Sequence, residues 1–277
     1  MIDRLKTLPQ YCLPQKVISS AFGWLAGVRR PLWFKNWCIN HFIKKYNVDM
    51  SASVGELAQN YCDFNAFFTR LLKPTLRPIE ENMVSPADGE ISEIGQIHHD
   101  KIFQAKGHHF SLSKLLGGDS ELASLFEIGS YATLYLSPKD YHRVHMPISG
   151  QLKTMIHIPG KLFSVNQRTA RTVPDLFAKN ERVITLFETE KGMVAVILVG
   201  AMIVASIGTQ WAGLVTPPRK FGIRRWNYTD IFLEKGEEMG YFQLGSTVIV
   251  LCQANQVEWI SHLKHGSFVK MGQTICK

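Results

Sequence analysis

Disulfide chemistry is the first thing the sequence leaves out. Its five cysteines, Cys12, Cys38, Cys62, Cys252 and Cys276, contain no close pair, and one is left over whatever the pairing. That spacing supplies neither a disulfide framework nor a zinc knuckle and suits a reducing cytoplasm. A long apolar run is also missing, since none reaches the roughly 18 residues of a spanning helix. The nearest approach, Met193–Ile207, is rich in valine and isoleucine, broken by Gly200 and bounded by Gly192 and Gly208. It reads as two buried strands around a turn. Val17–Val28 is short and follows Pro9, Pro14 and the charges of Asp3, Arg4, Lys6 and Lys16, so it is no signal peptide. No glycine-rich phosphate loop, dinucleotide fingerprint, internal repeat or low-complexity segment is present. The histidines His98, His99, His108 and His109 come as adjacent pairs, which chelate poorly. No carboxylate or cysteine spacing completes a ligand set, so no metal is expected.

Acidic charge is scarce at the N-terminus. Residues 1–49 hold Arg4, Lys6, Lys16, Arg29, Arg30, Lys35, Lys44 and Lys45 against Asp3 and Asp49, so most of the net +8 of the chain lies there. Trp24, Trp33 and Trp37, half of the six tryptophans, share that stretch. Basic residues among aromatics suit nucleic acid or an anionic membrane. Here the aromatics sit among aliphatics, as in Ala21–Val28 and Trp33–Ile43. This favours an interfacial helix with lysines reaching for headgroups over a base-stacking platform. A packed helical subdomain with a solvated basic face fits the same residues equally well.

Residues 1 to about 70 read as helical, punctuated by Pro9, Pro14, Pro31 and Gly55, with a short amphipathic helix over Asp63–Leu72 that Pro74 ends. Beyond Pro78 the texture changes to short apolar runs among Gly, Pro and His: Gly89–Ile97, Ala132–Leu136, Leu152–His157, Arg182–Phe187, Met193–Ile207, Thr247–Leu251 and Val257–Ile260. Ser111–Leu116 is a helical turn or two, stopped by Gly117-Gly118. The expected fold is α+β: a helical region, residues 1–72, followed by an antiparallel β domain of sandwich or barrel type, residues 73–277.

Four segments carry the chemistry: Pro86-Ala87-Asp88-Gly89, Asp140-Tyr141-His142-Arg143-Val144-His145-Met146-Pro147, Pro159-Gly160-Lys161-Leu162-Phe163-Ser164-Val165-Asn166 and Leu244-Gly245-Ser246-Thr247. Singly they are turn and strand material. A serine hydroxyl needs a base to become nucleophilic at neutral pH, and a base needs an orienting group. Ser246, His145 and Asp88 supply those roles as a triad recognised by function and not by order. Glycine at 245 presents the carbonyl, because it lacks a Cβ and tolerates a bent backbone.

Together and in this order, the four segments resemble the phosphatidylserine decarboxylase family, over the chain from about residue 80 to its end. The resemblance implies self-cleavage between Gly245 and Ser246, with the same Asp88, His145 and Ser246. Ser246 would become a pyruvoyl group, the covalent cofactor that forms a Schiff base with the substrate amine and accepts electrons as carbon dioxide leaves. His142 is the candidate proton donor. Positions 142 and 145 face opposite sides of a strand, so the run must bend near Met146-Pro147 for both to serve one site. The resemblance places Pro159–Asn166 near the pocket, although its residues read as a turn followed by a strand. Arg219, Lys220, Arg224 and Arg225, near Trp226 and Tyr228, could serve the wet-to-apolar boundary that a lipid substrate needs, although a solvated basic loop is the favoured reading.

The implied activity is conversion of phosphatidylserine in an anionic membrane to phosphatidylethanolamine. The enzyme would be peripheral at the cytoplasmic face of the cell membrane and bind no nucleic acid. Its two chains, 1–245 and 246–277, would stay together as a heterodimer, with a homodimer left open. A pyruvoyl enzyme for another amine and a serine hydrolase using the same triad are the alternatives. Against the hydrolase, Gly-x-Ser-x-Gly is absent around Ser246, which lies in a strand-like segment.

Overall fold

The computed structural model describes the chain except for residues 1, 2, 4–6, 106, 107, 203–205, 218–221 and 244. Prolines divide the N-terminal region into α1 (Pro9–Cys12), α2 (Gln15–Ala26) and α3 (Leu32–Tyr46). Pro14 and Pro31 sit at the caps that open α2 and α3, where a missing N–H costs nothing. Asn47, at φ 52°, closes α3 in the left-handed conformation, and Lys44 and Lys45 complement its negative end. A short α4 (Phe64–Phe68) follows, its first turn capped by Asp63, which accepts the Ala66 amide at 2.9 Å. The helix expected over Asp63–Leu72 ends early because its last residues pair elsewhere: Leu71 accepts the Val54 amide, and Leu72 bridges Ser53.

The β domain begins with β1 (Gly89–Gln96), the hairpin β2 (Lys101–Ala105) and β3 (His108–Ser111), and two short helices, α5 (Leu112–Leu115) and α6 (Ser120–Ser124). Then come β4 (Ser130–Leu136), β5 (Arg143–His145), β6 (Gly150–Ile158), α7 (Gln167–Ala170) and α8 (Leu176–Lys179). The long hairpin of β7 (Arg182–Thr189) and β8 (Gly192–Val199) leads into β9 (Ser206–Thr209) and β10 (Gly213–Leu214). The chain finishes with β11 (Arg224–Asn227), β12 (Phe232–Leu233), β13 (Glu238–Gln243), β14 (Ser246–Cys252) and β15 (Phe268–Val269).

Every pairing between these strands is antiparallel. A nine-stranded sheet runs β11-β6-β7-β8-β14-β4-β1-β15, with β12 also on β6, and a four-stranded sheet runs β10-β9-β13-β5. Alternation along β14 shows how the layers stack. Val248 and Val250 face the core that holds Val144, Ile207, Met239 and Phe242 of the smaller sheet. Ile249 and Leu251 face the opposite core, formed with Phe110, Leu112, Leu115 and Phe177. The result is an α+β sandwich with a helical layer on its far face and no closed barrel.

Several expected elements take other forms. Val257–Ile260 is not a strand and contributes only the Trp259–Cys276 bridge. The 246–277 piece therefore holds two strands, β14 and β15, and is otherwise turns. Met193–Ile207 does divide in two, but its halves join different sheets, β8 the larger and β9 the smaller. Pro159–Asn166 forms no strand, because its amides are taken by side chains: Leu162 by Gln15 Oε1 at 2.7 Å and Ser164 by Gln10 Oε1 at 2.9 Å. Arg224 and Arg225 lie in β11, paired with β6, and not in a loop, while Arg219 and Lys220 lie outside the described residues.

Because Ile249 is fully buried beneath the helical layer, Ile249→Ala should cost about 2–5 kcal/mol. Denaturant unfolding of the uncut chain would measure this as a lowered midpoint at unchanged slope.

Candidate active site

The site forms where β4, β14 and β5 meet. Ser246 opens β14 opposite Leu136, the last residue of β4. The turn beyond Leu136 is locked by Asp140, whose Oδ2 accepts the Ser137 amide and hydroxyl, each at 2.7 Å. That turn brings the chain back to His142, whose Nδ1 lies 3.5 Å from Ser246 Oγ. Phe68 of α4 stacks on the imidazole from the other side, with centroids 4.1 Å apart and planes 21° apart. Ser246 and His142 are completely buried, and His142 Nε2 has no hydrogen-bond partner among the described residues. Gly245, at φ 55°, carries the left-handed conformation directly before the serine.

His142 precedes β5 and His145 ends it, so the change of direction separating them comes at the strand's start and needs no bend at Met146-Pro147. His145 Nδ1 is 2.8 Å from the Gly236 carbonyl, and its Nε2 is 3.1 Å from the Tyr141 hydroxyl. A carbonyl can only accept, so Nδ1 carries the proton and the Tyr141 O–H donates to Nε2. Asp88 Oδ1 accepts from Arg77 Nε at 2.9 Å and from the Met271 amide at 2.8 Å, while Oδ2 pairs with Arg77 Nη2. The His145 amide donates to Pro86 at 2.8 Å, which holds the Asp88 segment beside β5. The structure thus brings Ser246 to His142, while no hydrogen bond joins Asp88 to His145 or His145 to Ser246 among the described residues. The hydrogen bonds of Asp88 and His145 go to Arg77, Met271, Tyr141 and Gly236.

Phe68, Arg70, Arg77 and Tyr141 also belong to this neighbourhood. Tyr141 lies within the Asp140–Pro147 run, so the motif carried it. The other three arrive from the segment after α3 through tertiary packing alone, which no local pattern signals. Arg224 and Arg225 are engaged elsewhere: Arg224 lies over the Trp226 ring at 4.9 Å, and Arg225 pairs with Asp119.

The phosphatidylserine decarboxylase family model matches residues 64–277, and a model described as PSD matches residues 5–47. A relative from Pseudomonas fluorescens strain Pf0-1 is 53% identical over 100% of this chain and 99% of its own. Relatives from Pseudomonas putida strain F1 and Ectopseudomonas mendocina strain ymp are each 54% identical over 99% of this chain and 98% of theirs. All three bear the name phosphatidylserine decarboxylase proenzyme. The chain belongs to the phosphatidylserine decarboxylase family.

For a decarboxylase of this family, the electrostatics of the two histidines matter most. Burial, reinforced by the Arg70 guanidinium, holds His142 down to about 3, against the weaker pull of the Ser137 and Pro138 carbonyls. Burial also lowers His145, with the Gly236 carbonyl and Glu238 opposing. Both are neutral at pH 7, the form in which an imidazole can accept a proton.

In the unfolded chain these histidines take up protons near their ordinary value of about 6.5; in the native state His145 does so below it and His142 only near 3. The unfolded state therefore binds more protons as pH falls, and stability present above about 6.5 drains away towards 3. The slope should reach about 1.4 kcal/mol per pH unit from His142, with His145 adding in the same direction. Unfolding between pH 7 and 4 should show it, and His142→Gln should remove the His142 share.

Proposed function

We propose that the protein cuts itself between Gly245 and Ser246 and then decarboxylates phosphatidylserine to phosphatidylethanolamine. The observation that carries this reading is the full-length similarity to proenzymes, combined with a glycine–serine junction buried beside His142. In the cut, a base removes the Ser246 Oγ proton, Oγ bonds to the Gly245 carbonyl carbon, and the bond to nitrogen breaks to leave an ester. Loss of the Ser246 α-proton then expels the Gly245 carboxylate. Water replaces the nitrogen, which departs as ammonia. The pyruvoyl group left at position 246 supplies the electron sink for carbon dioxide loss.

Its surroundings fit it: a fully buried strand end, a neutral imidazole at 3.5 Å and a glycine that adds no side chain at the junction. We assign His145 as the base of the cut, supported by the Asp88 charge, and His142 as the donor that returns a proton to the former α-carbon. Chains 1–245 and 246–277 remain a heterodimer, because β14 pairs with β8 on one side and β4 on the other. Self-association into a homodimer is compatible with this arrangement.

Residues 1–72 form the membrane-docking region and 73–277 the catalytic domain. Among the described residues, no helix is long and apolar enough to cross a membrane. The N-terminal helices instead present Trp24, Trp33 and Trp37 at 76%, 72% and 59% exposure, among basic residues. Between α2 and α3 opens an apolar cavity of about 360 Å³, lined in part by Phe22, Trp37, Phe42, Lys45 and Phe64. Phe42 packs on Phe68, which stacks on His142, so a continuous aromatic path leads from that face to the site. Five free cysteines suit the cytoplasmic side of the membrane.

Intact mass under denaturing conditions tests the reading. The wild-type protein should give two chains, the smaller one an ammonia lighter than a serine-terminated 246–277 peptide. Ser246→Ala should stay whole, and cleavage of that variant would overturn the proposal. His145→Ala should remain uncut, whereas His142→Ala should be cut yet release carbon dioxide from phosphatidylserine at least about 100-fold more slowly. The reverse pattern would exchange the two roles.

A further inference from the structure

Arg70 is a buried cation whose position the self-cleavage chemistry does not explain. The residue is 4% exposed. Its Nη2 donates to the carbonyls of Lys139 and Asp140 at 2.9 and 3.3 Å, in the turn that delivers His142. Among the described residues its Nε and Nη1 have no hydrogen-bond partner, and the guanidinium lies over the Phe67 ring at 5.5 Å. No carboxylate pairs with it among the described residues; Asp140 is spent on the Ser137 turn, and Asp88 is held by Arg77. A guanidinium without a counter-ion is among the most expensive groups to bury, and two orphaned donors add to that cost. Phe68, two residues earlier, stacks on His142, and Arg70 itself holds the backbone of Asp140, two residues before that imidazole, so the guanidinium belongs to the shell around the group nearest Ser246.

We infer that Arg70 is the anchor for the phosphodiester of the lipid headgroup, its free Nε–H and Nη1–H forming the charged fork that a phosphate oxygen pair accepts. The inference rests on the decarboxylase reading and adds to it the group that recognises the substrate phosphate. The substrate carries two anions, and the reaction chooses between them. A guanidinium clamped on the carboxylate would stabilise the charge that decarboxylation must disperse, favouring the ground state over the transition state. The phosphodiester keeps its charge throughout, so an anchor there strengthens binding without opposing the chemistry. Ser246 and Arg70 are both closed to solvent in the uncut chain, so the headgroup enters only after processing frees the end at Gly245.

The test compares two soluble substrates of the processed wild-type enzyme: a short-chain phosphatidylserine and an O-alkyl-L-serine ether of matched length. The ether keeps the amine and carboxylate but lacks the phosphate. Wild type should prefer the diester by at least about 100-fold in kcat/KM. Arg70→Gln should lower kcat/KM on the diester about 10- to 100-fold, mainly through KM, and collapse that preference at least about tenfold. Arg70→Lys should lose less, keeping the charge without the fork.

Equal use of both substrates by wild type overturns the assignment without any variant. So does an Arg70→Gln enzyme that loses the same factor on each substrate. Should Arg70→Gln stay uncut while Arg70→Lys is processed, Arg70 serves the precursor's chemistry and the headgroup role falls. Should neither variant be processed, the wild-type preference decides. Absence of carbon dioxide from either substrate with processed wild type would instead overturn the decarboxylase reading itself, and the Arg70 assignment with it.

Discussion

The position of Ser246 as the first residue of an inner strand governs the rest of the structure. From Ser246 to Cys252 every residue of β14 is buried, with β8 and β4 bonded along its two edges. The serine side of the junction is therefore held by the sheet, and conformational freedom is left to its glycine side, where Gly245 adopts a positive φ. A peptide bond at such a boundary can be bent and cut while its neighbours stay in register. The same arrangement keeps the released piece in place. Beyond β14, the Ile275 amide donates to Met83, Ser85 donates to Gln273 and accepts from Gly272, and β15 pairs with β1, so the C-terminal segment is woven into residues that precede the cut.

What could be read from the residues alone depended on how local each cause was. The main strands of the large sheet follow from short apolar runs, and β1, β4, β6, β7, β8 and β14 lie where those runs fall. β5 and β13 have no such run. Glu238–Gln243 mixes polar residues and glycine and becomes a strand because β5 and β9 offer it two edges. Pro159–Asn166 reads as a turn followed by a strand, yet Gln10 and Gln15 reach it from about 150 residues away and take the amides that a ladder would use. Ser246, His142, His145 and Asp88 were visible because motif order carries chemistry. Phe68, Arg70 and Arg77 were not, because only tertiary packing brings them to that site.

The N-terminal helices and the catalytic sandwich are joined through side chains more than through sheet. Tyr11 packs on Phe163 at 4.9 Å, Gln10 and Gln15 hold the 162–164 backbone, and Phe42 passes contact through Phe68 to His142. The 1–72 region is then more than a tether, since its last residues supply the ring under the imidazole and the cation beside it.

Arg70 and His142 also constrain each other. In the uncut chain the guanidinium is the second cause, after burial, of the low proton affinity of His142. A histidine held that low is neutral at pH 7, which suits a bystander to the cut but not a group that must hold a proton for the α-carbon. A phosphodiester on Arg70 would cancel the guanidinium field at the imidazole and raise its proton affinity, while burial still opposes charge. The anion would thus help His142 hold its proton only when a headgroup is present. On this argument the headgroup phosphate does two things through one residue: it orients the substrate, and it raises the proton affinity of His142.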